Sequence, residues 1–195
     1  MSTSGANAAP APSKNILDRP LSKGPGRFVS ESSFSFLFSE LIQYSQNRVN
    51  DIADLENKLK DAGHRVGWRI LNLVVHRERP HRRDTKVVTI LQFISSKCWK
   101  TLFGKATDAL ERSTESESIY YMYENEPLTN KFISLPRELE GRLNCANFNA
   151  GIIRGILDAA NFPADVKAVS VTNNGVTKTV YVVEFDKSFL RDTAS

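Results

Sequence analysis

DVKAVSVTNNGVTKTVYVVEF, residues 165–185, is the stretch that decides the fold class. Its halves, DVKAVSVT and TKTVYVVEF, flank an Asn-Gly pair at Asn174 and Gly175. Both turn residues tolerate positive φ, which lets a two-residue turn follow the twist of paired strands, so the stretch predicts a tight antiparallel hairpin. A second dense strand signal, SIYYMYE, covers residues 118–124. NEPL then reads as a turn and KFISLP, residues 131–136, as another strand.

The remaining segments have helical period. A first helix starts near Ser33, where Phe34, Leu37, Phe38, Leu41 and Ile42 form one apolar stripe and Phe36 falls off it. Apolar residues on more than one face mean deep burial or a partner. A second helix runs from about Asp51 to Val75, with Ile52, Leu55, Leu59, Ala62, Val66, Ile70 and Leu73 as a seam. Gly63 and Gly67 interrupt it. Each interior glycine costs about 1 kcal/mol against alanine, and close approach of another backbone would offset that.

Pro80 disfavours helical geometry at Arg79, so HRERPHRRDTK, residues 76–86, reads as a loop. Asp84 or Thr85 then caps a third helix with Val87, Ile90, Leu91, Ile94, Cys98 and Leu102 inward. Phe93, Trp99 and Phe103 widen that stripe, so it reads as the central helix, ending at a left-handed Gly104. A fourth helix spans about Asn144 to Ala160, with Cys145, Phe148, Ile152, Ile156 and Ala159 inward. Gly151 and Gly155 repeat the four-residue glycine spacing. DKSFLRD adds a last helical turn. Helices, two strands, a helix and two strands argue an α+β domain with antiparallel strands, not a doubly wound sheet.

The chain has 195 residues, enough for one domain that buries roughly 70% of its unfolded surface without staples. Residues 1–30 are rich in Ser, Ala, Pro, Gly and Asn and read as a disordered tail; residues 31–190 form the domain and 191–195 its C-terminal end. No apolar run approaches the ~20 residues of a membrane-spanning helix. The N-terminus lacks the apolar core of a secretory signal. Cys98 and Cys145 sit apart in apolar segments and read as buried thiols in a reducing compartment.

The net charge is +4. Within residues 76–86, Arg77, Arg79, Arg82, Arg83 and Lys86 outnumber Glu78 and Asp84 by three charges. These five basic residues are the candidates for contact with an acidic surface, either anionic lipid or a partner. No aromatic residue interleaves them, which argues against nucleic acid. His64, His76 and His81 lack companions at metal-site spacing, so no metal is expected. His64 reads as a surface or satisfied histidine. GKAT, residues 104–107, lacks the first glycine of a phosphate-binding loop, where Trp99 stands. No G-x-S-x-G elbow occurs. Glu124 and Glu126 flank a turn and read as solvated carboxylates. No catalytic residue and no cofactor is assigned.

LFSELIQYSQNRV (37–49), AGHRVGWRIL (62–71), TKVVTILQFISSKCWKTLFGK (85–105), YYMYENEPLTNKFISLP (120–136) and LNCANFNAGIIRGIL (143–157) occur in an order that resembles the small subunits of the TRAPP (transport protein particle) complex. The likeness covers roughly residues 31–186, and the last two segments joined are its most specific part. It lies within the subfamily that includes the acylated founding subunit. The resemblance implies a helical layer packed on a four-stranded antiparallel sheet. It implies a non-catalytic scaffold subunit that pairs with other small subunits, the acylated one above all. The assembly it implies is a nucleotide exchange factor for a Rab-family GTPase and a vesicle tether between endoplasmic reticulum and Golgi. The expected location is cytoplasmic, peripheral to those membranes.

Phe34, Phe36, Leu37, Phe38 and Leu41, with part of helix two, are then the expected partner face. By the same resemblance, the founding subunit carries an acylated cysteine between its second and third helices. Here Arg79 stands at about that place and no cysteine occurs from 64 to 97, so no acylation is expected. The alternative reading is an adaptor module that meets a membrane through its basic loop or holds a small ligand; no axial ligand for haem is evident.

Overall fold

The computed structural model describes residues 29–78, 85–134, 142–173 and 176–186. Helix α1 spans Glu31–Gln46 and α2 spans Ile52–Glu78. Helix α3 (Val87–Phe93) continues through one π-helical turn, Ile94–Cys98, into α4 (Trp99–Phe103). Strands β1 (Ala109–Arg112) and β2 (Ile119–Glu124) come next, then the short α5 (Leu128–Lys131) and α6 (Asn147–Ala159). The long strands β3 (Ala164–Asn173) and β4 (Val176–Phe185) complete the order. All four strands pair antiparallel in one sheet, β1-β2-β4-β3. The expected class, helices on a four-stranded antiparallel sheet, is the observed one.

One strand lies elsewhere than the sequence pattern placed it. KFISLP does not pair: Lys131 ends α5, Phe132 to Ser134 are turn and coil, and 135–136 lie outside the described residues. Pro127, extended with φ −67° and ψ 134°, stands at the N-cap of α5, and the helical turn begins at Leu128. The fourth strand is instead ALER. Its residues favour helix, but Leu110 pairs with Met122 and Arg112 with Tyr120, and the ladder overrides propensity.

The helices also shift at their ends. α2 runs three residues past Val75, through His76, Arg77 and Glu78, so the start of the basic stretch is helical. The reason is local: a proline restricts only the residue before it, here Arg79. Lys86, not Asp84 or Thr85, holds the N-cap position of α3. The π turn inserts one residue into the helical phase, so Cys98 and Trp99 are buried consecutively. Gly104 caps α4 with φ 76°, as its position predicts. The expected tail before Val29, residues 79–84 and the turn expected after Asp186 lie outside the described residues.

The central helix is α6, not α3–α4. Nine of its thirteen residues are buried, because it lies between α2 and the sheet. What allows this is the absence of four side chains. A Cβ on Gly63 would collide with the Phe148 carbonyl oxygen, and one on Gly67 with that of Ile152. In return, a Cβ on Gly151 would strike the Lys60 carbonyl, and one on Gly155 that of His64. Backbone thus packs on backbone along two turns, with Gly63 and Gly67 on the buried seam where Ala62 and Val66 were expected. The half-buried pairs Lys60–Asp165 (2.9 Å) and His64–Asp158 (2.8 Å) flank the crossing. Such pairs contribute up to about 1 kcal/mol each. Overlap of backbone with a new Cβ cannot relax by rotamer change and costs more.

Helix propensity alone predicts that Gly63→Ala, Gly67→Ala, Gly151→Ala or Gly155→Ala stabilises by about 1 kcal/mol. The packing predicts the reverse: each lowers the unfolding free energy by about 2–3 kcal/mol or prevents folding. Urea unfolding of the four single variants decides, and a gain in stability at any of them contradicts the packing.

Candidate functional site

The partner face begins with the phase of α1. Phe38 and Ile42 point inward, one turn apart, and Phe38 meets Phe148 edge-on at 5.1 Å between ring centres. Phe34 stacks on Phe38 at 5.6 Å and is half-buried, as is Leu41. At 100° per residue, Phe36 points away from Phe38 and Leu37 sideways. They are 78% and 72% exposed. The expected face is therefore divided. Phe36 and Leu37 are available; Phe34 and Leu41 offer edges; Phe38, at 3% exposure, belongs to the core and drops out. Leu37 correspondingly leaves the inward stripe in which its spacing placed it. Tyr44, with Arg48 stacked 3.5 Å over its ring, extends the outer surface of α1. On α2, Trp68 and Val75 lie seven residues apart on one exposed side, and Trp68 is 52% exposed. Large apolar side chains gathered on helix surfaces mark an interaction surface more often than chance exposure.

The basic candidates do not form one described cluster. Arg77 is half-buried in the last turn of α2, with its Nε buried and without a hydrogen-bond partner. Lys86 is exposed at the start of α3. Arg79, Arg82 and Arg83 lie outside the described residues.

A polar centre that the sequence pattern did not single out sits inside the fold. Glu124, read above as solvated, is fully buried because it ends β2 on the sheet's inner face, alternating with Tyr120 and Met122. The Tyr181 hydroxyl donates to its Oε2 at 2.8 Å, and Asn149 Nδ2 donates to the Tyr181 oxygen at 2.9 Å. Lys105 Nζ stands 3.7 Å from Oε1 and donates to the Glu126 carbonyl at 2.9 Å. The strict alternation of IYYMYE held the signal: with Tyr120 and Met122 inward, Glu124 must be inward too. The cluster ties β2, β4 and α6 together. His64 is satisfied by Asp158, as expected. Cys98 and Cys145 are free and buried. Among the described residues no group of three or more His, Cys, Asp or Glu could hold a metal. No described helix is long and apolar enough to cross a membrane.

Burial raises the Glu124 carboxyl above its usual range, while Tyr181, Lys105 and Trp99 favour its charged form. The folded chain thus holds this proton more tightly than the unfolded one. Its contribution to stability is complete below the ordinary carboxylate range and is lost as pH rises through the raised value. Glu124→Gln cannot ionise and keeps an oxygen for Tyr181. It is expected to flatten the fall of the urea midpoint as pH rises from the ordinary carboxylate range. Identical pH profiles for the two proteins would contradict this.

Comparison with known proteins agrees with this architecture. A family model described as "Transport protein particle (TRAPP) component" matches residues 34–186. Trafficking protein particle complex subunit 5 of Dictyostelium discoideum is 49% identical over 182 residues, covering 92% of this chain and 97% of that one. The Homo sapiens protein of the same name is 44% identical over 153 residues, covering 78% and 80%. Among solved structures, a trafficking protein particle complex subunit 3 from Naegleria fowleri, covalently bound to palmitic acid, superposes with a TM-score of 0.66. It shares 17% identity, covers 80% of this chain and 95% of its own, and shows the common fold. Sequence and fold together place this chain in the TRAPP component family, whose members are subunits of vesicle-trafficking complexes.

Proposed function

We propose that the chain is a non-catalytic scaffold subunit of a multisubunit TRAPP complex. It pairs with the acylated small subunit through the outer side of α1 and the adjoining part of α2. The assembly acts as nucleotide exchange factor for a Rab-family GTPase and as a tether in transport from endoplasmic reticulum to Golgi. The chain itself is cytoplasmic and peripheral to those membranes. Phe36 carries the reading: a large apolar side chain, 78% exposed, on a helix whose opposite side is core. Covering it needs a partner, and a specific pair of this size buries about 1,600 Å² in total.

The chain does not carry the lipid itself in this reading. The Naegleria relative bears palmitic acid. Here burial pushes the Cys98 thiol up to about 12 and the Cys145 thiol up to about 11. Neither offers thiolate to an acyl donor at neutral pH.

Co-purification with the acylated subunit tests the pairing. Phe36→Glu should abolish it while changing the chain's own stability by no more than about 0.5 kcal/mol, as an exposed substitution does. Phe38→Ala should instead cost roughly 3–5 kcal/mol of stability, as a buried aromatic does. Retained pairing in folded Phe36→Glu protein overturns the interface. Unfolding of that variant would assign Phe36 to the core.

The basic region adds a contact with anionic membrane in the same reading, worth ~1 kcal/mol per basic residue near the surface and weakened by salt. Changing Arg79, Arg82 and Arg83 together to glutamate should reduce sedimentation with phosphatidylserine vesicles at low salt. Unchanged sedimentation removes the membrane contact and leaves the scaffold role intact.

A further inference from the structure

The helical cover of the sheet's inner face gives out toward the far end of β3. β4 sends Thr179, Tyr181, Val183 and Phe185 inward, and the register sets Ser170, Ala168, Val166 and Ala164 beside them. Val166 is fully buried, whereas Ser170 and Thr172 are exposed. A groove of about 700 Å³ lies there, lined among the described residues by Ala168, Ser170 and Thr172 together with Asn130, Ile133 and Leu143. β3 is also an edge strand, paired with β4 alone. The Asp186 amide donates to the Pro163 carbonyl, so the odd-numbered residues of β3 bond β4 and the even-numbered ones aim their backbone groups off the sheet. Asn144 Nδ2 accordingly donates to the Ala168 carbonyl at 3.1 Å. Ser170 and Thr172 have no such cap among the described residues. Asn130 Oδ1, at the groove, is buried without a hydrogen-bond partner.

A free strand edge beside a groove with an unused acceptor suits an extended segment, which adds to a sheet through its own main chain. We infer that the occupant is this chain's own N-terminal segment NILDRPL, residues 15–21, added antiparallel to the end of β3 as a fifth strand. The described chain begins at Val29, and Glu31, two residues on, pairs with Lys131 at 3.5 Å. Lys131 follows Asn130 and precedes Ile133 by two residues, and both of these line the groove, so the N-terminal part joins the fold beside it. From Val29 back to Leu21, eight residues reach up to about 26 Å, enough to run the length of the open edge. Apart from Met1, the large apolar residues before Val29 are Ile16, Leu17, Leu21 and Phe28, and the first three fall in this stretch.

Pro20 sets the phase of the added strand. It biases Arg19 toward extended backbone and has no N–H to donate. Its nitrogen therefore faces away from β3, which turns the backbone groups of Leu17, Arg19 and Leu21 toward β3. Two of these three find Ser170 and Thr172 before Asn144 closes the edge at Ala168. Residues opposite each other in an antiparallel pair share a face, so Leu17 and Leu21 cover the groove beside Ile133 and Leu143, while Ile16 and Asp18 face outward. Arg19, between the two leucines, brings guanidinium donors to Asn130 Oδ1. The docked segment closes an open sheet edge and ties down the chain just ahead of α1, the helix that carries Phe36.

Amide hydrogen exchange of the full chain, read residue by residue by NMR, tests this. The Ser170 and Thr172 amides should exchange at least about tenfold more slowly in the parent than in the Leu17→Asp, Leu21→Asp double variant. The amides of Ile152 and Ile156, buried in α6, should be equally protected in both proteins and so report an intact fold. Between about 2 and about 100 µM the protection should not change, because segment and groove belong to one molecule. Phe36→Glu should leave it unchanged as well, which separates this contact from the helical one. Equal exchange at Ser170 and Thr172 in parent and double variant overturns the inference. So does protection that grows with concentration, which would assign the groove to a second copy, or protection lost in Phe36→Glu.

Discussion

The fold depends on one contact, the crossing of α2 and α6, where four glycines remove the side chains that would hold the helices apart. Gly63 and Gly67 let α2 settle on the carbonyls of Phe148 and Ile152. Gly151 and Gly155 let α6 settle on those of Lys60 and His64. Each glycine weakens its own helix by about 1 kcal/mol, yet the close approach lets α6 be buried on both sides. With α6 so placed, Ile152, Ile153, Ile156 and Leu157 pack fully, and Asn149 reaches the Tyr181 hydroxyl. The flanking ion pairs are half-exposed and add little by comparison.

The other surfaces follow from this placement. α1 has no glycine seam and rests on the start of α6 through Phe38 and Phe148. Only one stripe of α1 is thereby covered, which leaves Phe36 and Leu37 in solvent. The sheet is covered on its inner face by α6, and its outer face carries the tyrosines of β2 and the valines of β3 and β4. The molecule has a packed middle, an apolar exterior on the outer side of α1 and a sheet exterior that mixes apolar and charged side chains. That arrangement suits a part whose work is to be held by other proteins. The fully buried carboxylate, Glu124, is engaged by Tyr181 and Lys105 within the fold.

Local patterns carried much of this. The Asn-Gly hairpin, SIYYMYE, the four helical segments, the cap at Gly104 and the need for backbone contact at the paired glycines were legible because each rests on spacing or on a special residue. ALER was not legible as a strand, because four helix-favouring residues become β1 only by pairing with β2. KFISLP misled in the other direction, since its composition suits a strand while a helical turn begins at Leu128, just before it. Glu124 was misread through its neighbours in the turn, although the alternation of its own strand pointed inward.

By itself the sequence determined the class, the family likeness and the candidate partner helix, since periodicity, turn chemistry and ordered motifs are properties of the chain. Which residues of that helix are free was decided only by tertiary structure. Phe36, Leu37 and Phe38 are equally apolar as letters, and one partner ring, Phe148, makes Phe38 core and leaves the other two outside. The same holds for the outer sheet face. Rows such as Glu111–Tyr121–Val182–Lys167 join residues far apart in sequence, and only the strand order and register bring them into line.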